Sequence, residues 1–182
     1  MRKELGLEDK LVVGHIGRFC YQKNHDFLID IFNEIHKQRQ EAVLLLIGEG
    51  ELEQDIRNKV KELGLEDSVR FMGKQKDTSE FYQAMDCFVL PSRYEGLGVV
   101  AIEAQACSVP VICSTAVPKD AKITSSVKFI GLDESSSNWA DCVLDVIKTQ
   151  VKRNEREEVR KAGYDIEVEA QKLTDFYEEL LK

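Results

Sequence analysis

Glu95 and Glu103 close off the stretch Glu95-Gly96-Leu97-Gly98-Val99-Val100-Ala101-Ile102-Glu103, with two glycines between them. A carboxylate accepts hydrogen bonds at both oxygens, which suits the vicinal hydroxyls of a sugar or a ribose. Gly96 and Gly98 lack Cβ, so the backbone beside Glu95 can turn sharply and lie close to a ligand. Val99 and Val100 come next, at the predicted start of a helix. Their N–H groups have no intrahelical partner, and the helix dipole places roughly half a positive charge there. Such a terminus seats phosphate. Phosphate donors between two hydroxyl-binding acids describe a nucleotide-sugar site.

The elements that must position this stretch alternate between short apolar runs and segments of helical period. Apolar runs at Leu11–Gly17, Ala42–Gly48, Ser68–Met72, Asp86–Leu90, Val109–Cys113 and Val127–Ile130 read as strands. Between them, Phe27, Leu28, Ile31, Phe32 and Ile35 share one helical face, and Leu52–Leu63, Asp77–Met85 and Val99–Cys107 read as helices. Asn24 is placed to cap the first helix and Gly64 to end the second. Asn138–Val151 and Asp165–Leu181 add helices at the end, with the charge run Lys152–Arg160 between them as a solvated helical face. Arg2–Lys10 reads as a short entry helix or linker. The pattern predicts an α/β fold, a Rossmann-like three-layer sandwich with a parallel sheet of about six strands. Ligands of such sheets sit at the carboxyl ends of strands, near a switch in strand order. Arg18, Gly48–Gly50, Gly73, Pro91–Gly98 and Ser114 all fall at predicted strand exits and are expected to share one rim.

The motif Glu-Gly-Leu-Gly-x-x-x-x-Glu at 95–103 resembles the signature of family-4-type retaining glycosyltransferases, which have the GT-B fold. The stretch Gly17-Arg18-Phe19-Cys20-Tyr21-Gln22-Lys23-Asn24 is similar to the same family's Gly-Arg-x-x-x-x-Lys motif. The resemblance implies that Glu95 holds the donor sugar and Glu103 the ribose, with Gly96, Leu97, Gly98, Val99 and Val100 supplying backbone contacts to sugar and phosphates. It also implies that Gly17, Arg18 and Lys23 face the diphosphate. Breaking a sugar–phosphate bond builds negative charge, which fixed cations favour. Met72 and Lys74, at the exit of the third strand, are the expected nucleobase contacts. The likeness covers nearly the whole chain, but only the carboxyl-terminal, donor-binding half of a GT-B enzyme. Residues 1–182 are therefore expected to form a single nucleotide-sugar donor-binding domain, with the amino-terminal acceptor-binding domain absent and sugar transfer not performed alone. The terminal helix, with Phe176, Leu180 and Leu181, is implied to meet that absent half. The loop after Cys113 departs from the family by lacking its Gly-Gly and acid, so donor-sugar contacts from this loop are not carried over.

Composition narrows the classes. The 182 residues carry a net charge of -8, which argues against a reader of nucleic-acid backbones. The five cysteines include no Cys-x-x-Cys pair and read as reduced, packed thiols of a cytoplasmic protein. His15 reads as a packed core residue and His25 as part of the first helical turn, with no metal-ligand spacing around either. No metal and no cofactor is expected; the nucleotide sugar, by resemblance a UDP-sugar, is a substrate. The expected acceptor is a glycan or lipid-linked sugar in polysaccharide assembly, met in the cytoplasm or at the inner membrane face. Two other readings stay open at this stage. One is a non-catalytic donor-binding subunit that serves a separate acceptor subunit, and the other is half of a nucleotide-sugar epimerase.

Overall fold

A computed structural model describes residues 1–149 and 154–181 of the chain. Six strands form one parallel sheet: β1 (Leu11–Ile16), β2 (Ala42–Ile47), β3 (Val69–Phe71), β4 (Cys87–Leu90), β5 (Val111–Ser114) and β6 (Val127–Ile130). Their spatial order is β3-β2-β1-β4-β5-β6. The order reverses between β1 and β4, which pair through Val13 with Cys87 and Gly14 with Phe88. That reversal opens a crevice at the carboxyl ends of the two strands.

The strand residues alternate between two cores. Leu11, Val13, Ala42, Leu44, Leu46, Cys87 and Val89 face one side. Val12, Ile16, Val43, Leu45, Ile47, Phe88 and Leu90 face the other. Because both faces are covered, the strands read as continuous apolar runs instead of alternating ones. The first face is closed by α1 (His25–Gln38), α2 (Glu53–Glu62) and α5 (Ser136–Thr149). Trp139 fastens α5: its indole is buried and donates to the Gly131 carbonyl at 2.9 Å. The second face is closed by α3 (Ser79–Ala84) and α4 (Val99–Ala106), through Phe81, Tyr82, Ala101 and Ala104.

Several details depart from the sequence reading. Arg2–Lys10, read as a short helix or linker, takes the second form as a run of turns, but it packs on the core and buries Leu7. The connection from β5 to β6 holds only a short 3-10 turn at Lys119–Ala121 where an alternating pattern would place a helix. Gln105 anchors that connection, accepting from the Ile123 and Thr124 N–H groups and donating to the Ala121 carbonyl. Within the charge run, Lys152 and Arg153 lie outside the described residues, as do Gln150 and Val151 at the end of the predicted helix before it. What is described does not read as a solvated face throughout. Glu155 and Val159 are buried, Val159 in α6 (Arg156–Val159), and the Glu155 carboxylate accepts from the hydroxyls of Thr124 and Ser126.

A kink at Gly163 leads into α7 (Ile166–Leu180), whose first turn is capped by the Asp165 carboxylate. No side chain of α7 is buried, and Leu173, Phe176, Tyr177 and Leu180 are all more than half exposed. Among the described residues, no helix is long and apolar enough to cross a membrane.

Candidate functional site

The loops leaving β1 and β4 are stitched together over the crevice. Leaving β1, the chain makes a 3-10 turn at Tyr21–Lys23 and then places Asn24 in the left-handed region, at φ 57°. In that conformation Asn24 does not cap α1. Its side-chain amide donates to the Pro91 carbonyl at 3.1 Å, and its oxygen accepts from Arg93 at 2.8 Å. The Arg93 N–H donates to the Gln22 carbonyl, and the Arg93 guanidinium lies over the Tyr21 ring. The capping expected from sequence is replaced by a clamp between the two loops.

Glu95 is held inside that clamp. Lys23 Nζ lies 2.7 Å from its Oε1, and the side chains are 14% and 7% exposed. Ser92 Oγ donates to the same oxygen at 2.6 Å, and Gln22 Nε2 donates to Oε2 at 3.1 Å. These three donors occupy all but one of the carboxylate's roughly four lone-pair positions. The Ser114 hydroxyl, at the end of β5, donates to the Ser92 carbonyl and steadies the loop from the other side.

Beyond Glu95 the chain turns through Gly98, at φ 82°, into α4. This position demands glycine, because a Cβ would be strained there and would sit 3.1 Å from Val117 Cγ1. The Ala101 N–H closes on the Gly98 carbonyl. Val99 and Val100 are the first two residues of that helix, so their N–H groups have no intrahelical partner and lie at the dipole's positive end. Gly96 differs: it is exposed, and a Cβ built on it meets nothing within 4 Å.

Arg18 is separate from Lys23. It is 72% exposed, pairs with Glu51 at 3.0 Å, and lines a recess of about 690 Å³ with Gly48, Glu49, Gly50, Glu53 and Lys74. Gly48 and Gly50 are explained by packing. A Cβ on Gly48 would meet the Gly17 carbonyl oxygen at 2.1 Å, and one on Gly50 the Phe19 oxygen at 2.5 Å. The exits of β1 and β2 therefore lie backbone against backbone. Met72 is half-buried, with its N–H on the Leu46 carbonyl and its own carbonyl accepting from Gln75. Gly17 sits beside the Lys23 stem and His15 Nε2.

Glu103 lies further along α4, exposed, and Oε2 accepts from the Tyr82 hydroxyl at 2.8 Å. Tyr82 is thus both a core residue and the partner of Glu103. Its aromatic character identified a packed side chain; nothing local pointed to its hydroxyl. Gln22, Ser92 and Asn24 were likewise legible as polar residues at strand exits, but not as partners of Glu95 and its loop.

His15 and His25 lie under the rim, buried, with rings 4.7 Å apart. His15 Nδ1 meets the Val89 carbonyl at 2.8 Å. Burial lowers the pKa of His15 to about 4 and that of His25 to about 2, so both stay neutral. Burial also pushes the Cys113 thiol up to about 12, so it stays protonated and is a poor nucleophile. All five cysteines are free. Among the described residues no cluster of three or more His, Cys, Asp or Glu is placed to hold a metal. The rim brings together cations, the amides of a helix start and two hydrogen-bonded carboxylates, groups whose chemistry suits an anionic, polyhydroxylated ligand.

Residues 1–166 match the family model described as "Glycosyl transferases group 1". The chain is 32% identical over 173 residues to EpsF of Bacillus subtilis, which carries a provisional glycosyltransferase name; the match covers 93% of this chain and 45% of that protein. It is 40% identical over 122 residues to mannosylfructose-phosphate synthase of Agrobacterium fabrum, covering 62% of this chain and 27% of that protein. In fold it is similar to sucrose-phosphate synthase from Thermosynechococcus elongatus, with a TM-score of 0.82, 26% identity, and 99% of this chain against 48% of that one. HepE of Anabaena, solved in complex with UDP, gives a TM-score of 0.79 at 23% identity, covering 98% of this chain and 51% of that one. This chain thus spans about half the length of proteins that share its fold.

Proposed function

Because the chain belongs to the family described as glycosyl transferases group 1, we propose that it is the donor-binding half of a retaining hexosyltransferase that uses a nucleotide-diphospho sugar. The observation that carries this is the rim at the β1–β4 switch. There, buried Glu95 immediately precedes a glycine turn that presents the Val99 and Val100 N–H groups. In this reading the diphosphate lies on those amides and near Arg18, and Glu95 accepts from the sugar hydroxyls. Glu103 takes the ribose, and the base lies toward Met72 and Lys74. The open position over Gly96 supports close approach of a ligand to its backbone.

The chemistry follows from charge. The bond between the anomeric carbon and the phosphate oxygen breaks, and the acceptor hydroxyl oxygen bonds to that carbon on the same face. The hydroxyl proton passes to the departing diphosphate. Arg18, Lys23 and the α4 amides favour the negative charge that grows on this leaving group. Lys23 would have to share itself between Glu95 and the ligand.

Transfer also needs an acceptor hydroxyl held beside the anomeric carbon. We assign that task to an acceptor-binding half outside these 182 residues, and the exposed apolar side chains of α7 suit contact with it. A UDP-sugar donor and a glycan or lipid-linked acceptor are the specific form proposed, with no metal or cofactor required. HepE, solved in complex with UDP, supports the first, and the polysaccharide setting rests on family likeness. Incubating the chain with UDP-glucose and a glycan acceptor, alone and within a full two-domain relative, tests the division of labour. Transfer only in the two-domain protein is expected; robust transfer by this chain alone would overturn it.

A further inference from the structure

Resting on the reading of Glu103 as the ribose carboxylate, we propose that Tyr82 is a positioning residue that sets preference for ribose over deoxyribose. Glu103 is exposed on α4, where a free glutamate samples several rotamers and presents its oxygens in no fixed direction. Tyr82 reaches it from α3, 21 residues away in sequence, with its hydroxyl 2.8 Å from Oε2. The same hydroxyl lies 3.1 Å from the Val100 carbonyl oxygen, one turn earlier on α4. The tyrosine is rigid. Its side chain is 1% exposed, in the core that also holds Phe81, Met85 and Phe88, and its ring lies 5.6 Å from that of Phe88.

A buried ring with two torsions thus fixes one oxygen of an otherwise mobile carboxylate. The other oxygen is left with its acceptor positions for the ligand. Burial, and then the adjacent carboxylate, raises the Tyr82 pKa far above its usual value, so the hydroxyl remains a donor at any working pH. The ring satisfies the core and the hydroxyl serves the carboxylate, so the two roles can be separated by removing a single oxygen. Fixing a ligand group before binding spares the loss of its freedom on binding, which improves affinity for whatever that group contacts. A ribose hydroxyl is what Glu103 would contact, so the benefit falls on ribose and not on the base or the phosphates.

The experiment is calorimetric titration of the chain with UDP, GDP and ADP, and with the 2′-deoxy counterpart of whichever binds. The proteins are the original chain, Tyr82→Phe, Glu103→Ala and the double variant. A hydrogen bond to a charged group is worth on the order of tenfold or more in affinity. Glu103→Ala is expected to abolish the preference for ribose over deoxyribose. Tyr82→Phe is expected to narrow it by about threefold to tenfold, with little effect on the deoxy ligand and no further loss in the Glu103→Ala background. Circular dichroism and thermal melting establish that Tyr82→Phe is folded. If Tyr82→Phe weakens both ligands equally, or leaves the preference intact while Glu103→Ala removes it, the positioning role is wrong and the ribose role of Glu103 stands. If Glu103→Ala leaves the preference intact, or no diphosphate binds, the donor-site reading fails and this inference with it.

Discussion

Lys23 Nζ and Glu95 Oε1 lie 2.7 Å apart across 72 residues of sequence, in side chains that are nearly closed to solvent. The pair ties the loop after β1 to the loop after β4, and so fixes the mouth of the crevice. Removing one member leaves the other charged, desolvated and without its main partner. Breaking a buried pair this way costs about 3 kcal/mol or more, whereas replacing both members with neutral groups of similar size costs far less. Lys23→Met alone is therefore expected to lower the urea midpoint sharply, and Lys23→Met with Glu95→Gln to restore most of the loss. Equal instability of the single and double variants would contradict this.

Gly48 and Gly96 separate packing from ligand approach. Gly48 has φ 141° and a Cβ there would sit 2.1 Å from the Gly17 carbonyl oxygen, while Gly96 opens onto empty space. Gly48→Ala must push the β1 and β2 exits apart and is expected to destabilise by about 2 kcal/mol or more. Gly96→Ala is expected to stay within about 0.5 kcal/mol of the original stability while weakening UDP binding, because its methyl group fills the space offered to the ligand. Denaturant titration and calorimetry on the two variants check both halves of the contrast.

Acid should destabilise the fold before its carboxylates begin to protonate. The unfolded chain binds a proton at each histidine near pH 6.5, whereas folded His15 and His25 do so only near pH 4 and pH 2. Protons therefore favour the unfolded state, and stability falls as pH drops below 6.5. The slope approaches about 1.4 kcal/mol per pH unit for each residue. His25 stacks on Phe19 at 4.2 Å and neither of its ring nitrogens has a partner, so a phenylalanine fits its surroundings. His25→Phe is expected to reduce the slope between pH 6.5 and 5 by up to half, read from urea midpoints across that range. An unchanged slope would mean that other groups govern it.

Arg18 should matter to the ligand and not to the fold. It is 72% exposed and its partner Glu51 is 55% exposed, and such surface pairs are worth about 0–1 kcal/mol. Arg18→Ala is expected to leave the melting temperature nearly unchanged, to weaken UDP binding, and to make that binding less sensitive to salt. Calorimetry at two ionic strengths measures the last effect.

Much of the fold was legible because each strand is a short apolar run closed by a turn residue. Val127–Ile130 was placed residue for residue, and the helix after Gly98 begins at Val99 as read. That the motif residues would gather at one rim was legible too, since strand exits in a parallel sheet share an edge. Pairings across long sequence separations were not. Asn24 looked like a cap, but its left-handed backbone turns the side chain toward Pro91, 67 residues away. Glu155 looked solvated because its neighbours in sequence are charged, yet it is buried against Thr124 and Ser126. Tyr82 shows the same limit, because periodicity reports which side of a helix is apolar and not where one hydroxyl ends.

The central claim is that a nucleotide-sugar donor binds at the β1–β4 rim, and amide chemical-shift mapping of the chain during titration with UDP, GDP and ADP tests it most directly. The account predicts saturable binding of one diphosphate. The largest shifts should fall at Gly96, Gly98, Val99 and Val100, with smaller ones at Arg18 and Lys74 and none along α7. Saturable shifts clustered away from this rim, or none for any of the three, would contradict it.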